Sequence, residues 1–334
     1  MDDVVLTPSG GNDTLQLWTA LERVKGSGRS VILEPGVYKV DNTLNVEGAT
    51  LRGRNLDLTA RTDIDDGFAI IEPDIRNGTP DQPVVQLLNG NARGFCIRWT
   101  EAVPESRRNT GIKAAAKFEI ETVKIVGAQD AIVTGDVYSR GAHNTGAFKI
   151  RDCYLLHNQE VGLRIARSKE WSTVENVQVR FAKIGIDLEH NDDLLMRNIF
   201  VQGRHEAPAE RRENQFAIRV RRGTQAGDEK LLFCSAEVHG LFSDAFQHLM
   251  LIEGDADSNG QHHIRIVLGR SATHHAAVKY LAAQCVLFVQ DVWWKGNTDC
   301  AVQVHPDIPS GRSDPFITLQ NCQLEFPGGA RGRG

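Results

Sequence analysis

The chain has 334 residues, of which 24% are charged and 41% hydrophobic, and its formal net charge is −5. The lack of a basic excess argues against a nucleic-acid partner, and no run approaches the roughly 18 consecutive apolar residues of a membrane-spanning helix. Met1-Asp2-Asp3-Val4-Val5 lacks the basic and apolar regions of a secretory signal peptide. We therefore expect no nucleic-acid binding, no membrane insertion and no signal peptide in this sequence.

The first predicted element is an amphipathic helix. Asn12-Asp13-Thr14 is typical of a helix start and Gly26 of a helix end. The apolar face between them consists of Leu17, Trp18, Leu21 and Val24. Short strands separated by turns follow at 31–40, 44–46 and 49–53. We expect the helix to lie across the first strands and to cover the open end of their core.

From residue 110 onward a short strand pattern recurs at irregular intervals. Each copy consists of an apolar residue, two polar positions and then two apolar residues separated by one position. Seven copies begin at Ile120, Ile150, Val174, Met196, Phe233, Val289 and Leu319, and a weaker eighth copy lies around Ile264. A second alternating strand precedes each copy and is marked by Ile112, Ile132, Leu163, Ile186, Ile218, Met250, Val278 and Val302. Constant strands with variable connections are typical of a solenoid of about eight coils, and the two-residue alternation excludes a helical solenoid.

A column of small polar residues supports this register. The residue before the second apolar position of each copy is Thr122, Asp152, Asn176, Asn198, Ser235, Asp291 or Asn321. Such side chains hydrogen-bond to backbone at bends, so parallel coils about 4.8 Å apart should stack them into a ladder. The same register separates Cys153 and Cys322 by about six coils, roughly 29 Å. That distance excludes a disulfide between them, and we expect mostly buried, reduced thiols.

The opening segment carries a resemblance to a known family. Asn12-Asp13-Thr14-Leu15-Gln16, Leu33-Glu34-Pro35-Gly36-Val37-Tyr38 and Thr50-Leu51-Arg52-Gly53 resemble the start of the pectate-lyase-3-type β-helix family. That family includes polysaccharide lyases, glycoside hydrolases, epimerases and many bacteriophage tailspikes. The resemblance implies an all-β fold, a right-handed parallel β-helix (solenoid) with an N-terminal capping α-helix. We expect the helix segment at 1–30, the β-helix at 31–326 and a flexible tail at 327–334.

The opening motif carries no catalytic residue, so candidate sites come from outward positions of the repeat. Arg164 and Arg219 flank Asp187, and they could clamp a sugar carboxylate beside an acid or base. Glu189, Asp192 and Asp193 extend this into a carboxylate cluster, which is a candidate for catalysis or for Ca²⁺ binding. The alternatives are a salt-bridged surface column and a solvated turn. We predict no metal site and no required cofactor, with Ca²⁺ as the one optional ion.

A second outward column contains three large aromatic residues. It reads Lys124, Tyr154, Gln178, Phe200, Glu237, Trp293 and Gln323. Tyr154, Phe200 and Trp293 are candidates for stacking on sugar rings, for a subunit interface or for cover by a loop.

These patterns favour a virion-associated β-helix protein. It would be a tailspike-like, fibre-like or decoration component in a virion or outside the cell. It would contact surface glycans or polysaccharide as a homo-oligomer, with a trimer expected, or together with other virion proteins. A carbohydrate-active enzyme (lyase, glycoside hydrolase or epimerase) acting on an acidic polysaccharide is the first alternative. A purely structural β-helix module is the second.

Overall fold

The computed structural model describes most of the chain. The described residues are 2–55, 67–75, 79, 81–135, 147–168, 171–189, 191–204, 215–221, 234–246, 248–252, 262–273, 278–280, 285–295, 302–304, 316–325 and 331–333.

The described part is built almost entirely from parallel strands in two sheets. The smaller sheet has ten strands: β4 (Leu44–Glu47), β7 (Pro83–Leu88), β10 (Thr110–Ala115), β13 (Asp130–Thr134), β16 (Val161–Ala166), β19 (Ile184–Glu189), β21 (Phe216–Arg221), β23 (His248–Ile252), β25 (Val278–Tyr280) and β27 (Val302–Val304). Each strand pairs in parallel with the strand of the next coil, so ten described coils stack along one axis.

The larger sheet has twenty described strands and wraps around two faces of the molecule. The face that the chain reaches first in each coil, here the leading face, contains β1 (Val4–Leu6), β2 (Ser30–Leu33), β5 (Thr50–Gly53), β8 (Asn91–Arg93), β11 (Glu119–Glu121), β14 (Lys149–Arg151), β17 (Thr173–Glu175) and β28 (Phe316–Gln320). The trailing face contains β3 (Gly36–Val40), β6 (Ala69–Pro73), β9 (Phe95–Arg98), β12 (Lys124–Val126), β15 (Tyr154–Leu156), β18 (Gln178–Arg180), β29 (Gln323–Glu325) and β30 (Arg331–Arg333). Four longer strands run around the corner between the faces: β20 (Leu194–Gln202), β22 (Cys234–Phe246), β24 (His262–Thr273) and β26 (Cys285–Lys295).

The predicted coil register of the ten-stranded sheet is confirmed. The eight apolar markers from Ile112 to Val302 pair with one another in unbroken order. Those of them whose side chains are described are buried, because alternate residues of each strand point into the shared core. This core is continuous from Leu17 near the N-terminus to Cys322 in the last described coil.

The corner between the two faces explains the polar column. Six of the seven predicted residues have left-handed backbone conformations with φ between 53° and 55°, namely Thr122, Asp152, Asn176, Asn198, Asp291 and Asn321. Asn198 donates its side-chain amide hydrogen to Asn176 Oδ1 at 3.1 Å, and Asn176 donates in turn to Asp152 Oδ1 at 2.9 Å. Asn and Asp tolerate this conformation better than other side chains.

The seventh predicted member of the column, Ser235, was wrong. In the observed register the corner after Asn198 is Gly240, with φ 71°, and the next corner is Leu268, with φ 57°. Glycine adopts positive φ without a steric penalty and needs no side-chain hydrogen bond. Because Gly240 is not a small polar residue, the polar pattern placed this corner at Ser235, five residues too early.

The N-terminal α-helix, α1 (Thr14–Val24), packs against β1, β2 and β4. Leu17, Leu21 and Val24 are buried as predicted, and the backbone N–H of Thr14 donates to Asn12 Oδ1 at 2.9 Å. Trp18 instead stays 37% exposed while its indole N–H donates to Thr43 O at 2.8 Å. A 3₁₀ turn lies at Glu105–Arg107. Among the described residues no helix is long and apolar enough to cross a membrane.

The C-terminal edge carries a strand that the sequence did not suggest. The predicted tail at 327–334 is described only over 331–333, where β30 pairs antiparallel with β29. This is the one antiparallel pairing among the described strands, and it occupies the free edge of β29 on the trailing face.

Candidate functional site

The predicted column of Arg164, Asp187 and Arg219 lies in three successive coils of the ten-stranded sheet. Arg219 donates from Nε to Asp187 Oδ1 and from Nη2 to Asp187 Oδ2, both at 2.8 Å. Arg164 donates from Nε to Asp187 Oδ2 at 3.1 Å and reaches Asp130 Oδ2 with Nη1 at 3.1 Å. We call these four residues the ion-pair network.

The network is buried and its charges balance. The Asp187 side chain is 0% exposed, and those of Arg164 and Arg219 are 16% and 21% exposed. Among these four described residues, two carboxylates face two guanidinium groups, so their formal charges cancel. Both oxygens of Asp187 accept hydrogen bonds from arginine, and such bidentate charge-assisted bonds are strong and geometrically specific. Arg164 and Arg219, which were predicted to bind a sugar carboxylate, therefore bind carboxylates of the protein itself.

Burial changes the pKa of Asp130, which lies at the edge of this network. It raises the pKa of Asp130 above the ordinary value of 3.8, against the opposing effects of the Arg164 guanidinium and the Val161 N–H. The Val161 N–H donates to Asp130 Oδ1 at 3.1 Å. Loss of hydration therefore outweighs ion pairing at Asp130.

The other predicted carboxylates are divided between two places. Glu189 is buried on β19, two residues beyond Asp187. Asp192 and Asp193 lie in the turn that leads into β20, where Asp193 is exposed and accepts a hydrogen bond from Ser235 Oγ at 2.9 Å. Asp193 lines a cleft on the leading face that does not include Asp187. The described residues contain no group of three His, Cys, Asp or Glu side chains placed to hold a metal ion.

The three predicted aromatic residues lie in one column on the trailing face. Pairing across successive coils runs Tyr154, Gln178, Phe200, Phe242, Arg270, Trp293. The rings of Phe200 and Phe242 stack with centroids 5.2 Å apart and planes 10° apart. The Arg270 guanidinium carbon lies 5.6 Å from the Phe242 centroid and 4.8 Å from that of Trp293.

A second arginine extends this stack. Arg180 Cζ lies 5.0 Å from the centroid of Phe200. We name Arg180, Phe200, Phe242, Arg270 and Trp293 the aromatic–arginine ladder. Its members are partly exposed, with Phe242 at 38%. The contacts between rings and guanidinium groups have the geometry of stacking and cation–π interactions.

Sequence reasoning missed three members of the ladder, Arg180, Phe242 and Arg270. Glu237 was placed in this column, but it pairs with Leu195 and Arg265 on the leading face, and Phe242 occupies the position beside Phe200. The cause is the corner at Gly240, which shifts the true column by five residues. The signal that could have found Phe242 and Arg270 is the glycine itself, read as a corner residue.

A cleft of about 580 Å³ lies on the leading face and spans β17, β20, β22, β24 and β26. We call it the Trp171 groove. Its floor follows one paired column, Leu195, Glu237, Arg265 and Phe288. Trp171 lines the groove, is 82% exposed and has φ 68°, a strained conformation for a bulky side chain. No sequence pattern singled out Trp171.

No protein-family model matches the chain, and no curated protein is significantly similar to it in sequence. Solved structures are similar in fold. The mannuronan C-5 epimerase AlgE4 A-module of Azotobacter vinelandii shares 13% identity at a TM-score of 0.56, with 98% of this chain and 96% of that chain covered. The endo-xylogalacturonan hydrolase of Aspergillus tubingensis shares 11% identity at a TM-score of 0.62, with 98% and 94% covered.

A viral structure is similar to the same degree. A double mutant of the tailspike protein of E. coli bacteriophage HK620 shares 11% identity at a TM-score of 0.55. The alignment covers 95% of this chain but 65% of the tailspike chain. At these identities the likeness concerns the fold alone, and it includes proteins of different activities. The chain therefore folds as a parallel β-helix.

Proposed function

We propose that this protein contacts surface glycans through the aromatic–arginine ladder, as a virion-associated β-helix of the tailspike-like, fibre-like or decoration type. The observation that carries the proposal is the continuous stack of partly exposed rings and guanidinium groups on the trailing face. Isolated exposed apolar residues are ordinary, whereas a contiguous exposed patch marks an interaction surface.

The chemistry of the ladder suits a glycan that carries acidic groups. The C–H faces of a pyranose ring are apolar and pack against an aromatic ring, while the ring edges remain hydrated. Arg270, between Phe242 and Trp293, presents a planar guanidinium group that binds a carboxylate in bidentate fashion. Successive members are one coil apart, about 4.8 Å, so an extended chain of sugars would meet them in sequence.

The ion-pair network supports recognition rather than hydrolysis or elimination at Asp187. A general acid or base must reach the proton that it transfers. Asp187 is buried, and the hydrogen bonds from Arg164 and Arg219 occupy both of its oxygens. We propose that it stabilises the coil. A carbohydrate-active enzyme remains the alternative outcome of the test below.

The test is binding to a panel of purified capsular polysaccharides with and without uronic acids. We expect binding to acidic members that weakens as salt is added, because added ions screen exposed charges. If the protein binds none of the acidic polysaccharides, the proposal is wrong. Depolymerisation of a bound member, seen as a fall in viscosity, would replace recognition with the enzymatic alternative.

The assembly and the ends of the coil complete the proposal. We propose that the protein is a homotrimer and that α1 caps its first coil. We also propose that the coil is right-handed, because about 98% of parallel crossover connections have that hand. The apolar face of α1 belongs to the same core as the strands, which supports the cap. Light scattering checks the assembly: the chain mass is 36.9 kDa, so a trimer gives three times that value and a monomer contradicts it.

A further inference from the structure

We infer that the Trp171 groove is a second carbohydrate site, which takes uncharged sugar residues. The inference rests on the proposed function insofar as both sites bind a glycan. It concerns another face of the coil and a ligand of different charge.

The shape of the groove fits a short oligosaccharide. Its volume of about 580 Å³ lies within the range of roughly 300–1,000 Å³ that is usual for small-ligand sites. It crosses five successive coils, a length of roughly 19 Å at about 4.8 Å per coil. A groove of this form accommodates several linked sugar rings.

The walls combine apolar and hydrogen-bonding surfaces. Trp171 presents a largely exposed indole, and Phe288 and Leu195 supply further apolar surface along the floor. Holding a bulky side chain at positive φ costs conformational energy, and such strain clusters at ligand-binding sites. The exposed indole is therefore a platform for the apolar face of one sugar ring.

The charges of the groove point to a neutral ligand. Glu237 Oε1 lies 2.7 Å from His239 Nε2 and 3.1 Å from Arg265 Nη1, so its charge is already compensated. Arg265 also packs over Phe288, with Cζ 5.4 Å from the ring centroid. Asp193 accepts from Ser235 Oγ. These groups keep acceptor positions for sugar hydroxyls. Among the described residues that line the groove, Arg265 is paired with Glu237, in contrast to Arg270 in the ladder, which packs between two aromatic rings.

Saturation-transfer NMR with defined probes tests the inference. Maltohexaose, chitohexaose and mannohexaose are the neutral probes, and hexagalacturonate is the acidic one. The wild-type protein should transfer saturation to at least one neutral probe. Trp171→Ala should weaken that binding at least tenfold, and Trp171→Phe should retain most of it because the aromatic platform remains. Trp18→Ala, which removes a partly exposed indole on α1, is the matched control and should bind as the wild type does.

The outcomes separate the two sites. No transfer to any neutral probe, or unchanged binding by Trp171→Ala, overturns the inference. Unchanged neutral binding by Trp293→Ala supports a site distinct from the ladder, whereas its loss overturns that distinction. Binding of hexagalacturonate that depends on Trp293, without binding of any neutral probe, supports the proposed function and overturns the assignment of the groove as a sugar site. Circular dichroism and thermal melting of each variant exclude loss of folding as the cause.

Discussion

Arg219 donates two parallel hydrogen bonds of 2.8 Å to the Asp187 carboxylate, which has no contact with solvent. Removing one partner of such a pair leaves a buried, uncompensated charge, which typically costs about 3–5 kcal/mol. We expect Asp187→Ala to lower the free energy of unfolding by about that amount in urea titration.

The matched control for this prediction is an exposed ion pair in the same β-helix. Glu175 and Arg197 are 3.5 Å apart with side chains 38% and 56% exposed, so Glu175→Ala should cost less than about 1 kcal/mol. Equal small losses in both variants would contradict the structural role of the network.

The corner at Leu268 is predicted to be a site of stored strain. Its φ of 57° costs an ordinary side chain about 1–2 kcal/mol, whereas Asn tolerates this conformation. Leu268→Asn should therefore raise the free energy of unfolding by about 1 kcal/mol. Leu15→Asn makes the same exchange at an exposed position of α1 and should not stabilise, because Asn has the lower helix propensity. Stabilisation by both variants, or by neither, would count against the corner explanation.

Asp130 should give a pH dependence of known sign. Burial raises its pKa in the folded protein above the ordinary 3.8, so the folded state holds the proton more tightly than the unfolded state. The contribution of Asp130 to stability is then complete below the unfolded pKa and is lost as pH rises through the folded pKa.

The measurement is the difference in unfolding free energy between the wild type and Asp130→Asn across that pH range. We expect the wild type to lose stability relative to Asp130→Asn as pH rises. An opposite slope would mean that the ion pair with Arg164 outweighs burial at Asp130.

The thiols of the described core should resist modification. Burial raises the pKa of Cys153 and of Cys234 to about 12, and the thiolate is the reactive form. Alkylation of the native protein near neutral pH, followed by peptide mapping, should leave both residues unmodified, and the same treatment in denaturant should modify them. Modification of either in the native state would contradict its buried placement.

The sequence predicted the scaffold because the scaffold is periodic. Apolar residues at alternate positions identify inward-facing strands, so the markers from Ile112 to Val302 aligned without error. Cys153 and Cys322 are both buried and reduced, six coils apart in one inward column. The positions of two corners of the coil were not predicted from the sequence. Gly240 lacks a side chain, and Leu268 is an unfavourable residue for its corner, so neither matched the polar pattern.

The candidate sites were predictable only in part. Alternation correctly placed Arg164, Asp187 and Arg219 side by side, and a salt-bridged column was one of the two interpretations of them. That column was expected at the surface, whereas Asp187 is buried. Tyr154, Phe200 and Trp293 were placed in one column, while Phe242 required the exact corner position. Trp171 lies outside every repeat, and its exposure depends on the turn that precedes β17. Whether any of these residues binds a ligand stays a prediction.

The affinity of an acidic polysaccharide for two matched tryptophan variants tests the central proposal most directly. Trp293→Ala removes one ring of the ladder together with its contact to Arg270, 4.8 Å away, while Trp18→Ala removes a partly exposed indole from α1. The loss of one stacking ring, about 1–2 kcal/mol, should weaken binding by about tenfold in Trp293→Ala. Trp18→Ala should bind as the wild type does. Equal affinities for the two variants would show that the ladder does not contact the glycan.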